Sequence, residues 1–166
     1  MDRRYPAQIF THPRTDERTM NSENQPPAAL RVLLVEDNAF DVLMAERILR
    51  RAEIPCIITH VDRLTAGVEK ALEGTDLVLL DLHLPDAERH EALAAVGRFR
   101  VPVIVFTGDP SPLRTYEAGR AGAIAALSKF AAHTELLPTI LFACGVCHAS
   151  GTLPTNVAEA IEKAYR

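Results

Sequence analysis

No apolar run in the 166-residue chain approaches the roughly 20 residues that a membrane-spanning helix needs. The opening MDRRYPAQIFTHP is charged and broken by proline, with no secretory hydrophobic segment, so a cytoplasmic location is the default. A basic stripe is missing as well. Net charge is −4, and the acidic excess lies in the middle of the chain. Residues 1–29 carry four acids and four bases, residues 149–166 carry two and two, and the stretch between them carries 16 acids against 12 bases. That distribution argues against nucleic acid as a direct partner. Lysine is scarce, with three (Lys70, Lys129 and Lys163) against 15 arginines. Lys70 and Lys163 fall in helical, solvent-facing contexts, whereas Lys129 does not.

What is present is enough for one domain with a core: 48% of residues are apolar. Residues 1–29 are aperiodic and rich in Pro, Asn, Arg and Glu, which reads as a disordered arm. From residue 30 short apolar runs alternate with amphipathic segments. The runs are RVLLV (31–35), CIITHV (56–61), DLVLLDL (76–82), VPVIVFT (101–107) and AIAAL (123–127). Each is apolar almost throughout, as strands buried on both faces are. Between the first two, Phe40, Leu43, Met44 and Ile48 share a helical face behind Asn38 as cap. Leu64, Val68, Ala71 and Leu72 repeat the spacing behind Asp62, and Gly74 ends that helix. A third, short helix falls near 87–97. A fourth begins at Ser111 with Pro112 in its first turn and is weakened by Gly119 and Gly122. A fifth runs from about Thr134 to Cys147, with Pro138 near its first turn. Five strands alternating with five helices predict an α/β fold with a parallel sheet covered on both faces. Ligands of such sheets bind beyond the carboxyl ends of the strands.

Those ends carry chemistry. The first strand runs into Glu36 and Asp37, the third ends at Asp81, the fourth at Thr107, and the fifth is followed by Lys129. One acid at a strand end is ordinarily a helix cap or a solvated turn. An acid pair, an acid, a hydroxyl and an ammonium on one rim point further, to phosphoryl transfer onto a carboxylate. Three clustered acids favour a divalent cation, and an oxygen-only donor set suits Mg²⁺. In this reading Asp81 is the nucleophile, while Thr107 donates a hydrogen bond and Lys129 supplies a point charge to the phosphoryl oxygens.

LLVEDN, DLVLLDLHLPD, VIVFTGD and AGAIAALSK, in that order, resemble the four site blocks of the receiver domain of two-component response regulators. The resemblance covers about 119 residues, 30–148, and the separations Asp37–Asp81 (44) and Thr107–Lys129 (22) are similar to the family's. It implies a flavodoxin-like, doubly wound five-stranded parallel sheet of order 2-1-3-4-5. It implies a phosphohistidine donor on a histidine kinase or phosphotransfer protein, and phosphoryl gain and loss at Asp81 as the whole chemistry. It also implies Mg²⁺ held by Asp37, Asp81 and the backbone carbonyl of His83, with Glu36 acting mainly through water. A downstream protein partner would read the phosphorylated state. Three departures stand out. The Asp81–Thr107 interval is short at 26, so the third helix and its entry loop are trimmed. The family's switch aromatic, three residues before the lysine, is Ala126 here, and its proline after the lysine is Phe130.

Two other signals compete for a role. CGVCH, Cys144 to His148, matches a c-type haem attachment pattern, but that attachment requires export. A redox or metal protein using Cys144 and Cys147 is thus a minor alternative, beside a degenerate receiver acting as a phosphorylation-independent interaction module. Cys56 reads as core. The tail, 149–166, offers a narrow apolar stripe of Leu153, Val157, Ile161 and Ala164, either a frayed helix or a homodimer or partner contact. Its 18 residues leave no room for a DNA-binding output domain, so a stand-alone regulator is the expectation.

Overall fold

The structure, a computed structural model, describes residues 29–52, 55–109 and 111–149, with side chains to residue 145. The expectations for the arm at 1–28 and for the tail beyond 149 lie outside the described residues. The strands are β1 (Leu30–Val35), β2 (Cys56–Val61), β3 (Leu77–Leu80), β4 (Val103–Thr107) and β5 (Ala125–Ser128), and the helices are α1 (Ala39–Arg51), α2 (Leu64–Ala71), α3 (Arg89–Ala95), α4 (Pro112–Arg120) and α5 (Ala132–Ala149). All pairings are parallel, in the order β2-β1-β3-β4-β5. This is the parallel sheet predicted from the alternating runs, in the doubly wound, flavodoxin-like order that the resemblance implies.

Both faces of the central strands are buried because successive side chains point to opposite sides. Leu30, Val32, Leu34, Leu77, Leu79, Ile104 and Phe106 face α1 and α5. Leu33, Val35, Val78, Leu80, Val103 and Val105 face α2, α3 and α4. Each fully buried side chain of this kind is worth about 1.5–3 kcal/mol, which is why the continuous apolar runs locate the strands so well.

Helix faces and ends depart from expectation in four places. In α1 the buried positions are Ala45 and Leu49, with Met44 and Ile48 half-buried, whereas Phe40 and Leu43 are 72% and 62% exposed. In α2 Leu72 is exposed and Gly67 takes its place on the inner face. The cap of α2 is not Asp62. Asp86, from the loop after β3, accepts from Leu64 N–H at 2.8 Å, Thr65 N–H at 3.1 Å and the Thr65 hydroxyl at 2.9 Å. In α5 the helix starts at Ala132, because a 3₁₀ turn over Lys129–Ala131 leads straight into it, and Pro138 therefore lies a full turn inside. The helices at 111–120 and 89–98 form as expected, the second as a seven-residue helix followed by a 3₁₀ turn.

Candidate functional site

β1 and β3 are neighbours, with Val35 opposite Leu80. One residue further on, each strand delivers an acid, Glu36 and Asp81. Asp81 N–H donates to the Val35 carbonyl (2.9 Å) and Glu36 N–H to the Val61 carbonyl (3.0 Å), so both backbones are fixed by the sheet before their side chains leave it. Glu36 is fully buried, Asp81 is 3% exposed and Asp37 is exposed. One carboxylate oxygen from each lies within 4.8 Å of the others, and among the described residues no other group of three or more His, Cys, Asp or Glu is gathered this way. The donor set is oxygen only, as a hard cation such as Mg²⁺ requires. Asp37 leaves the group open to solvent, beside a cleft of about 520 Å³ lined by Asp37, His83, Arg89, Asp109 and Arg114 among others.

Lys129 begins the turn after β5 and reaches back across the rim. Its ammonium lies 2.7 Å from Glu36 Oε2, 2.9 Å from Asp41 Oδ2 and 3.1 Å from Asp81 Oδ2, over the Phe106 ring at 5.8 Å. The second and third contacts are aligned hydrogen bonds. The first is a charge contact without that alignment, which leaves buried Oε2 of Glu36 without a hydrogen bond. Burial alone would lower the pKa of the Lys129 ammonium, but contact with Glu36 and Asp41 and the charge of Asp81 raise it, so it stays charged. Burial pushes Glu36 up to about 7, with the Lys129 ammonium opposing and the Asp81 charge adding. The other Glu36 oxygen accepts from Asn38 N–H at 3.2 Å. Asp81 Oδ1 accepts from Leu82 N–H at 2.7 Å, which fixes the plane of that carboxylate.

Thr107 ends β4, buried, opposite Ser128 in the ladder. Its hydroxyl oxygen accepts from Asp109 N–H at 3.1 Å and so faces the loop leading into α4. Beside it, a cavity of about 420 Å³ is lined by Ala126, Phe130, Thr115 and Glu135 as well. The His83 side chain is exposed, with Nδ1 3.9 Å from Asp81 Oδ1, outside hydrogen-bond range.

The rim thus gathers Glu36, Asp37, Asp81 and Lys129, with Thr107 at the adjoining strand end. Sequence reasoning missed Asp41, the fourth acid. The signal was in plain view, since Asp41 falls in the first turn of a helix capped by Asn38, beside the same strand end. Cys144 is buried against the sheet, while the Cys147 and His148 side chains lie outside the described residues. Cys56 is half-buried, and burial raises its thiol pKa.

A scan against protein-family models finds no match. Curated proteins do match. Over 109 residues the chain is 31% identical to the two-component response regulator ARR2 of Arabidopsis thaliana, covering 62% of this chain and 16% of that protein. Over 120 residues it is 28% identical to the sensory/regulatory protein RpfC of Xanthomonas campestris, covering 68% of this chain and again 16% of the relative. The matched region is thus about a sixth of either relative's length. Among solved structures, the response regulator receiver domain protein (CheY-like) of Methanospirillum hungatei superposes with a TM-score of 0.59 at 26% identity, covering 68% of this chain and 91% of that one.

Proposed function

The described domain belongs to the receivers of two-component response regulators, and from that premise we propose that it accepts a phosphoryl group on Asp81 from a phosphohistidine of a kinase or phosphotransfer protein. The observation that carries this reading is Asp81 itself: a carboxylate that shares a cation-sized cluster with Glu36 and Asp37 and has the Lys129 ammonium 3.1 Å away. In the transfer, an Asp81 carboxylate oxygen forms a bond to phosphorus. The bond from phosphorus to the donor imidazole breaks, and its electron pair returns to the imidazole nitrogen. Leu82 N–H holds the carboxylate plane, and Lys129 supplies positive charge where the phosphoryl oxygens arrive. Thr107 donates its hydroxyl to one of those oxygens after leaving Asp109 N–H. Asp37, Asp81 and the backbone carbonyl of His83 would hold Mg²⁺, with Glu36 behind them. When bound, the metal neutralises charge on the incoming group. The domain then signals through protein contacts, and hydrolysis of the acyl phosphate at Asp81 resets it.

Intact mass after incubation with a small phosphodonor and Mg²⁺ tests the reading. One added phosphoryl group is expected, lost in Asp81→Asn and lost in excess chelator. Equal labelling of the mutant would refute the assignment. An unlabelled parent would favour an interaction module that works without phosphorylation.

A further inference from the structure

Lys129 occupies ground that the metal needs. Its ammonium touches Glu36 and Asp81, two of the three carboxylates grouped as a cation site, at 2.7 and 3.1 Å. Two cations in one small cluster repel each other, so a divalent ion entering there displaces the ammonium from at least one of those oxygens. The side chain is a flexible four-carbon stem, free to swing its charge within a few ångströms. The remaining acid in contact with the ammonium is Asp41, at 2.9 Å, which stands outside the carboxylate group that could hold the metal. Asp41 sits on α1, a helix whose start is fixed by the Asn38 side chain accepting from Phe40 N–H at 2.9 Å. Its backbone is therefore anchored at the helix start, 88 residues from Lys129 in sequence.

Building on the metal reading above, we propose that Asp41 is a positioning residue that receives the Lys129 ammonium when the divalent cation enters the acid cluster. The ammonium keeps one full carboxylate partner throughout, and it stays beside Asp81 to meet the phosphoryl group. Without Asp41, the ammonium has only Glu36 and Asp81 to pair with, both inside the acid cluster that the ion enters, and competes with the ion for their charge. Asp41 thus acts on the metal through Lys129 and touches neither the ion nor the reacting atoms.

Titration calorimetry with Mg²⁺, free of phosphodonor, tests this in the whole chain. Asp41→Asn, which keeps shape and hydrogen bonding but removes the charge, is expected to weaken Mg²⁺ binding about three- to tenfold. Asp41→Glu restores a carboxylate and recovers most of that loss. In a Lys129→Gln background the same Asp41→Asn change has little effect, because no ammonium remains to be moved. Parent-like affinity in Asp41→Asn would overturn the proposal. So would an equal loss in both backgrounds, which would mark a simple field effect of one lost charge on the ion. No Mg²⁺ binding by the parent would instead strike at the metal reading itself and take this inference with it. Circular dichroism melts confirm that each variant is folded before it is titrated.

Discussion

At Gly67 α2 packs tightly on β1. A Cβ added there would lie 2.7 Å from Val35 Cγ2 and 3.2 Å from Cγ1, both on a fully buried strand residue. Alanine in place of glycine inside a helix gains about 1 kcal/mol, but forcing a buried helix off its strand costs about 1–3 kcal/mol. Gly67→Ala is therefore expected to destabilise. Gly119→Ala, with nothing within 4 Å of the new Cβ, is expected to stabilise by about 0.5–1 kcal/mol. Urea denaturation of both variants checks the opposite signs. Asp86 makes a second test at this scale. Burial opposes ionisation of its carboxyl, but hydrogen bonds from Thr65 and Leu64 outweigh it and lower the pKa. A lowered pKa stabilises above the unfolded value, about 3.9, and that contribution is lost as pH falls through the folded value. Asp86→Ala should then cost about 1 kcal/mol near neutral pH, and the gap to the parent should narrow in acid. Denaturation midpoints at pH 7 and pH 3 read this directly. Asp86 was not legible as a cap in the sequence because it serves a helix start 22 residues away, whereas Asp41 carried a local signal, its place in the first turn of the helix after β1, but its partner Lys129 lies 88 residues on. Glu36, Asp37 and Asp81 were legible because they stand within two residues of the end of an apolar strand.

Among the elements, α4 is joined to the site through a string of polar contacts. Thr107 accepts from Asp109 N–H, and Asp109 accepts from Ser111 N–H at 3.1 Å and from Arg114 at 2.9 Å. Arg114 pairs with Glu117 at 2.9 Å, and Glu117 meets Arg89 of α3 at 3.5 Å. α4 itself is nine residues with Gly119 near its end, Gly122 at φ +96 beyond it, and Ala118 as its one buried position. Few apolar contacts and a string of exchangeable ion pairs mark low local stability. Ala126 cannot fill the cavity beside Thr107 as an aromatic ring would. If Thr107 turns its hydroxyl to a phosphoryl oxygen, Asp109 N–H loses its acceptor and the string loosens at its first link. Amide hydrogen exchange with and without a phosphoryl mimic should change across residues 108–122. Changes restricted to the acid loops would contradict this. The existence and order of the elements were readable from alternating runs and amphipathic segments, because burial on both sheet faces writes itself into composition. Helix faces were less readable. Phe40 and Leu43 match a helical stripe by spacing, yet the helix turns Ala45 and Leu49 to the sheet, where small and branched residues let it approach.

At the scale of the whole molecule, those same exposed residues bear on how the proposed protein donor would reach a carboxylate that is nearly buried. The Asp41–Lys129 hydrogen bond joins the start of α1 to the turn after β5. Phe40 precedes Asp41 and Phe130 follows Lys129, and they are 72% and 82% exposed, with Leu43 at 62% one turn along α1. Large apolar side chains at the rim of a reactive site suit a protein partner, since aromatic truncations at interfaces often cost more than 1 kcal/mol. A small phosphodonor needs no such contact. Phe40→Ala combined with Phe130→Ala is therefore expected to slow phosphoryl transfer from phosphohistidine-loaded kinases about tenfold. Labelling by a small phosphodonor with Mg²⁺ should stay at the parent rate. Both residues are exposed and neither supports the core, so stability should hold within about 0.5 kcal/mol. Equal slowing with both donors would place the two rings in the chemistry of the site. No slowing with either would move the docking surface elsewhere on the domain.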